Sequence, residues 1–252
     1  MTSIKEDIFE EAERILLEAS KDEIKLKLIG GLAVKYHCPT SANLLSRRSY
    51  PDIDLIGHRR QSLKIKKLFS SLGYSPRVRF NAIYGDRRLI FNDLHHSRRV
   101  DIFLDIFEMC HTLDLSKAVD APGKVLGVTY LLMTKLQIIE ATEKDLLDSI
   151  CLLKDHSVAS KEDEETISTE TISELTANDW GLYKTFTISI EKIRKVAPKY
   201  LTEPEVTTIN RKLDMLLSAI EAKPKSLKWK TRSLIGEKVP WYQLPEPDVK
   251  IG

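Results

Sequence analysis

The sequence predicts an α+β chain, a half of strands and helices followed by a helical half. Three observations carry that reading. Short apolar runs alternate with amphipathic stretches as far as residue 104, as strands and helices sharing one core require. Asp120-Ala121-Pro122-Gly123 then breaks the pattern. Beyond that break the apolar residues recur only at helical spacing. The 252 residues suffice for one large domain or two small ones.

Ser3-Ile4-Lys5-Glu6 has the form of a capping box, and Ile4, Ile8, Ala12, Ile15 and Ala19 follow at helical spacing. A helix is therefore expected over residues 4–19. Residues 24–29 alternate apolar side chains with Lys, the period-two pattern of a half-exposed strand. That strand ends at Gly30-Gly31, and residues 32–36 open a helix. Residues 39–51 read as loop, 53–56 as a short strand, and 63–72 as a basic amphipathic helix stopped by Gly73. Further strands are expected at 77–83, 87–91 and 100–104. After the break, helices are expected at 129–141, 142–155, 180–196 and 204–222, the second capped by Thr142 and Asp145. No further strand is read there. Residues 157–178 are partly loop, and 223–252 form an irregular tail across the surface.

The 42% hydrophobic and 30% charged content is that of a soluble globular protein and excludes a disordered one. Lys plus Arg number 39 against 37 for Asp plus Glu, so no global charge pulls the chain to nucleic acid or membrane. No apolar run approaches the ~20 residues of a membrane span. The acidic start, with Glu6, Asp7, Glu10 and Glu11, is unlike a signal or transit peptide. Cys38, Cys110 and Cys151 are odd in number and form no C-x-x-C, which argues against a disulfide framework or zinc knuckle and for a cytoplasmic setting. His95-His96 and Cys110-His111 are adjacent pairs whose side chains diverge, so zinc is not expected at them.

The candidate chemistry centres on Asp52-Ile53-Asp54-Leu55. On a strand, Asp52 and Asp54 project to one side while Ile53 and Leu55 enter the core. Two carboxylates on one face repel unless a cation stands between them, and Mg²⁺ suits their hard oxygens. Chance alone yields about one such tripeptide in a chain of this composition, so its weight depends on what accompanies it. Gly30-Gly31, between a strand and a helix, lets the backbone approach a phosphate beside free helix N–H groups. Asp101 interrupts an apolar strand, where an unpaired carboxylate costs several kcal/mol unless solvated, paired or metal-bound. Together these form a two-metal layout for in-line attack on phosphorus.

The order Gly30-Gly31-Leu32-Ala33, Arg48-x-x-x-Asp52-Ile53-Asp54-Leu55 and Val100-Asp101 resembles the DNA polymerase β-type nucleotidyltransferase superfamily. More narrowly it is similar to the minimal, AbiEii-like toxin nucleotidyltransferases. The runs Leu131 to Gln137 and Lys144 to Asp148 resemble that group's Lys and Asp motifs, so the resemblance covers residues 24–155. It implies a small mixed β-sheet with flanking helices as a nucleotidyltransferase domain over 1–120. A helical domain over 124–222 and the tail 223–252 follow.

The implied reaction is Mg²⁺-dependent transfer of a nucleoside monophosphate from an NTP to an acceptor hydroxyl, with two ions. By position, Asp52, Asp54 and Asp101 would bind metal, and Asp101 would also activate the hydroxyl. Gly30 and Gly31 would form the phosphate turn, Arg48 and Lys135 would meet the triphosphate, and Asp145 would complete the nucleotide site. The toxin-like relatives imply an RNA or tRNA end as acceptor and a protein antitoxin as partner. The runs Arg47-Arg48, His58-Arg59-Arg60, Lys64-Lys66-Lys67 and His95 to Arg99 would suit RNA if they share one face.

Each residue also has a plainer role. Gly30-Gly31 can be a tight turn, Arg48 a solvated charge, Lys135 a snorkelling surface lysine and Asp145 a helix cap. Two other function classes remain. Leu32 stands where the family carries a hydroxyl residue, which suits a non-catalytic nucleotide-binding module. A glycosyltransferase would use D-x-D for a nucleotide-sugar but explains neither Gly30-Gly31 nor Asp101.

Overall fold

The computed structural model describes residues 4–46, 48–161, 163 and 165–244. It divides into two compact units. One comprises Met1–Tyr36, Arg47–Phe107 and Leu113–Leu126; the other His37–Ser46, Glu108–Thr112 and Gly127–Gly252. The fold is α+β, with a mixed sheet in the first unit and a mainly helical second unit.

Helix α1, Ile8–Lys21, starts later than the Ser3 capping pattern predicts, and Ser3 itself lies outside the described residues. Asp7 supplies the cap instead, accepting from the N–H groups of Phe9 and Glu10. Strand β1, Leu26–Ile29, is buried throughout rather than half exposed. Lys27 is 3% exposed because its ammonium reaches the Pro122 carbonyl. Residues 124–126 cover the edge of β1, with Leu28 N–H on Lys124 O at 2.9 Å and Leu126 N–H on Leu28 O at 3.0 Å.

Helix α2, Gly30–His37, follows β1 directly, and the expected loop after it contains a short α3, Ala42–Leu45. Then come β2, Asp52–Gly57, and α4, Ser62–Ser71, which ends before Gly73 at φ +90°. Strand β3 is the pair Ser75–Pro76. The strand expected at 77–83 is instead helix α5, Val78–Tyr84. Its apolar residues are not all inward: Val78 and Ile83 are exposed, while Phe80 and Tyr84 meet one helical turn apart. Asn81 turns in to exchange two hydrogen bonds with the Ile90 backbone, a polar anchor that period counting overlooks.

Strands β4, Arg88–Asp93, and β5, Arg98–Leu104, complete the core of a sheet ordered β1-β2-β5-β4-β3. β2 and β5 are parallel, whereas β1–β2, β4–β5 and β3–β4 are antiparallel. Short β6, Ile106–Glu108, and β7, Thr112–Asp114, continue from β5, and α6, Ser116–Asp120, follows.

The second unit holds α7, Val128–Leu136, and α8, Glu143–Asp155, the latter opened by the Thr142–Asp145 capping box. Lys212 donates to the carbonyls of Leu153 and His156 at the other end of α8. The segment expected to lack strands forms a parallel pair, β8, Ser157–Ala159, and β9, Thr166–Ser168. Three residues are too few to display a period. The Thr129 hydroxyl bonds Thr166 O and Ser168 N, tying β9 to α7. Helices α9, Thr169–Asn178, α10, Trp180–Val196, and α11, Glu203–Ala222, complete the core of the unit. The tail is not wholly irregular, because α12, Leu227–Ile235, forms within it. No residue of α12 is fully buried; Ser226 caps it, and Trp229 and Arg232 rest on Tyr183 and Trp180.

Candidate active site

Along β2, Asp52 and Asp54 are half exposed while Ile53 and Leu55 are fully buried, the alternation of a strand with one wet face. The parallel register pairs Asp54 with Asp101 and Asp52 with Arg99. Residues in register on neighbouring strands face the same way, so Asp54 and Asp101 stand side by side. On the other flank, β1 pairs Ile29 with Asp54 and then turns into α2 at Gly30.

Both glycines of that turn are closely approached by side chains. Gly30 has φ +68°, and a Cβ there would overlap the Oδ2 of Asp54. A Cβ on Gly31 would come within 2.5 Å of Arg48 Nη2, so the guanidinium lies over the glycine backbone. Arg48 also lies 5.2 Å from the centre of the Tyr50 ring. One unit thus brings together Gly30, Gly31, Arg48, Asp52, Asp54 and Asp101.

Asp101 is 1% exposed, and its partner is Arg88 from β4. Arg88 Nε donates to Oδ1 at 2.7 Å and Nη2 to Oδ2, a two-pronged fork, while the guanidinium stacks 4.8 Å from the Phe103 ring. Arg99 Nη2 approaches Asp52 Oδ2 at 3.4 Å. Reading the sequence strand by strand misses Arg88. Its signal is a charged residue on the strand beside one with a buried Asp, which becomes visible only once β4 and β5 are paired.

Lys135 and Asp145 lie in the second unit. The Lys135 ammonium, 10% exposed, sits 3.1 Å from Asp145 Oδ1 and 2.9 Å from Asp148 Oδ2. It is therefore an interior lysine rather than a surface one. Burial pushes the Asp145 carboxyl up, but Lys135 and hydrogen bonds from Thr142 outweigh burial and hold it below the usual carboxylate range.

The basic runs are largely committed to acids. His58 bridges Asp105 at 2.8 Å and Asp120 at 3.0 Å, and Arg98 forks onto Asp93. Lys25, then His58, hold the Asp120 carboxyl down at about 2. Lys64 and Lys67 on α4 are exposed, and Arg47 lies outside the described residues.

No protein-family model and no curated protein matches the chain. Among solved structures it is similar to the solution structure of the antibiotic-resistance factor ANT(2'')-Ia, an aminoglycoside nucleotidyltransferase. Identity is 10%, with 83% of this chain and 92% of that one covered at a TM-score of 0.37. That is a likeness of outline, and the functional reading rests on the site's own geometry. Among the described residues, no helix is long and apolar enough to cross a membrane.

Proposed function

We propose that the chain is a nucleotidyltransferase that moves a nucleoside monophosphate from an NTP to an acceptor hydroxyl. The observation that carries this is the Gly30-Gly31 turn closed against Asp54 and Arg48, with Asp101 in register beside Asp54. The carboxylates of Asp52, Asp54 and Asp101 form a hard oxygen donor set on one face, which fits Mg²⁺. When bound, Mg²⁺ neutralises triphosphate charge and lowers the pKa of the attacking hydroxyl.

The remaining roles belong to the chain itself. Gly30 and Gly31 let Asp54 and Arg48 close onto the N-terminus of α2, whose N–H groups would meet phosphate oxygens beside them. Arg48 presents a fork to those oxygens. The acceptor oxygen attacks the α-phosphorus, the bond to pyrophosphate breaks, and the hydroxyl proton passes to Asp101. Arg88 neutralises and aims Asp101 until that step. For Lys135 to meet the triphosphate, as the resemblance implies, it must leave two carboxylates.

A second reading is favoured by one observation: Asp101 is already held by Arg88, and Leu32 is 2% exposed in the core where a hydroxyl residue would face phosphate. Such a site would bind nucleotide without transferring it. An RNA end as acceptor, a toxin-like role and a protein antitoxin rest on the sequence resemblance. Incubation with each α-labelled NTP, Mg²⁺ and a cell extract tests the proposal. Label in an RNA, protein or small-molecule fraction with wild type, and none with Asp54→Asn, supports transfer. Binding of NTP with no labelled acceptor in any fraction supports the second reading.

A further inference from the structure

In the second unit, three potential metal ligands come together that belong to no group described above. His37 is the last residue of α2, His156 caps the C-terminus of α8, and Glu165 precedes β9. One nitrogen or oxygen from each lies within 4.8 Å of the others. His156 Nδ1 is 3.2 Å from Glu165 Oε2, and His37 Nδ1 is 3.5 Å from Glu165 Oε1. A tetrahedral zinc ion with bonds of ~2.0–2.1 Å holds its ligand atoms about 3.3 Å apart. Both separations lie close to that value, each to a different oxygen of the Glu165 carboxylate.

The His156 ring supplies the second observation. Its Nε2 lies 3.0 Å from the His37 carbonyl oxygen, which only accepts, so Nε2 carries the hydrogen. In the neutral tautomer with its hydrogen on Nε2, the lone pair is at Nδ1. That nitrogen faces two more acceptors, the Glu165 carbonyl oxygen at 3.0 Å and its carboxylate at 3.2 Å. A buried lone pair aimed at acceptor oxygens is repulsive unless a cation stands among them. An imidazole N–H on a backbone carbonyl, with the other nitrogen toward the ion, is also how ligating histidines are oriented.

We propose that His37, His156 and Glu165 bind one zinc ion. Two imidazoles and a carboxylate suit zinc and exclude Mg²⁺ or Ca²⁺ as the preferred ion. Cys38 is buried and is not among the side chains whose ligand atoms converge here. Asp155 is engaged by Thr40 and Ser41, and Lys212 donates to the His156 carbonyl. Glu165 is 70% exposed at its side chain, which leaves a fourth position for water. The ion joins the end of α2, the end of α8 and the entry to β9, so its binding adds to the stability of this unit.

The test uses untagged full-length protein, stripped with a chelator and titrated with Co²⁺ and then Zn²⁺. Expected are a visible cobalt band saturating at one ion per chain, displacement by zinc, and a Tm raised by zinc but not by Mg²⁺. Glu165→Ala, an exposed position that leaves the core intact, should weaken the metal at least ~10-fold. His156→Ala should abolish the band. Glu165→Ala should leave Mg²⁺-dependent NTP binding unchanged, which separates this site from the proposed nucleotide site. Absence of a cobalt band at ~100 µM metal, or equal affinity in Glu165→Ala, overturns the proposal and leaves a proton as the bridging cation.

Discussion

Asp101 and Asp148 are carboxylates in the interior, at 1% and 0% exposure, and each faces a cationic side chain from another element. Removing the cation strands the acid, which costs more than the pair itself contributes. Arg88→Ala should therefore lower stability by about 3 kcal/mol in metal-free protein. Mg²⁺ with NTP should restore more Tm to this variant than to wild type, since the ion replaces the lost charge. Equal Mg²⁺-NTP shifts in the two proteins would remove Asp101 from the metal set. Lys135→Ala should also cost about 3 kcal/mol, read as a lower urea midpoint. A midpoint like that of wild type would return Lys135 to the surface. Gly30→Ala strains a φ of +68° and pushes into Asp54, so Mg²⁺-dependent NTP binding should be lost along with ~1–3 kcal/mol of stability.

Strand β2 was legible from the chain because its single wet face makes Asp-x-Asp alternate against Ile53 and Leu55. The same logic failed where burial covers two faces. Lys25 and Lys27 suggested a half-exposed β1, yet Lys27 is folded in against Pro122. It failed again at α5, where Val78, Phe80 and Ala82 alternate yet Val78 and Ala82 point to solvent, and the anchoring Asn81 looks like a loop residue. Helix α8 was legible at its start because capping is a local interaction of Thr142 with Asp145. Its partner Lys135, ten residues earlier on α7, was not, since that pair exists only after two helices pack. Thr142→Ala should cost about 1 kcal/mol through the lost cap, measured by urea unfolding. An unchanged midpoint would mean that packing alone holds the helix end.

Across the molecule, several acids are held ionised by partners within the fold. Burial pushes Glu11 up, but the Arg14 fork, the Lys5 N–H and the Tyr74 hydroxyl outweigh it and lower its pKa. Asp93 is lowered likewise by Arg98 and His96 against burial. A folded pKa below the unfolded value gives stability that is complete at neutral pH and lost as pH falls through the folded value. The Tm should thus hold from pH 7 to about 5 and drop below about 4.5, with a shallower drop in Glu11→Gln. A profile identical in that variant would deny Glu11 its share. The near-neutral whole-chain charge fits the same picture, because His58 and Arg98 face acids rather than an open basic surface.

The central claim is that Gly30-Gly31, Arg48 and the carboxylates of β2 and β5 form a metal-dependent nucleotide site. The most direct test is titration of ATP, GTP, CTP and UTP into wild type and Asp54→Asn, each with Mg²⁺ and with a chelator. At least one NTP should bind wild type with Mg²⁺, and both the chelator and Asp54→Asn should weaken it at least ~10-fold while thermal unfolding stays cooperative. Binding that is indifferent to Mg²⁺ and to Asp54, or no binding of any NTP at ~1 mM, contradicts the account.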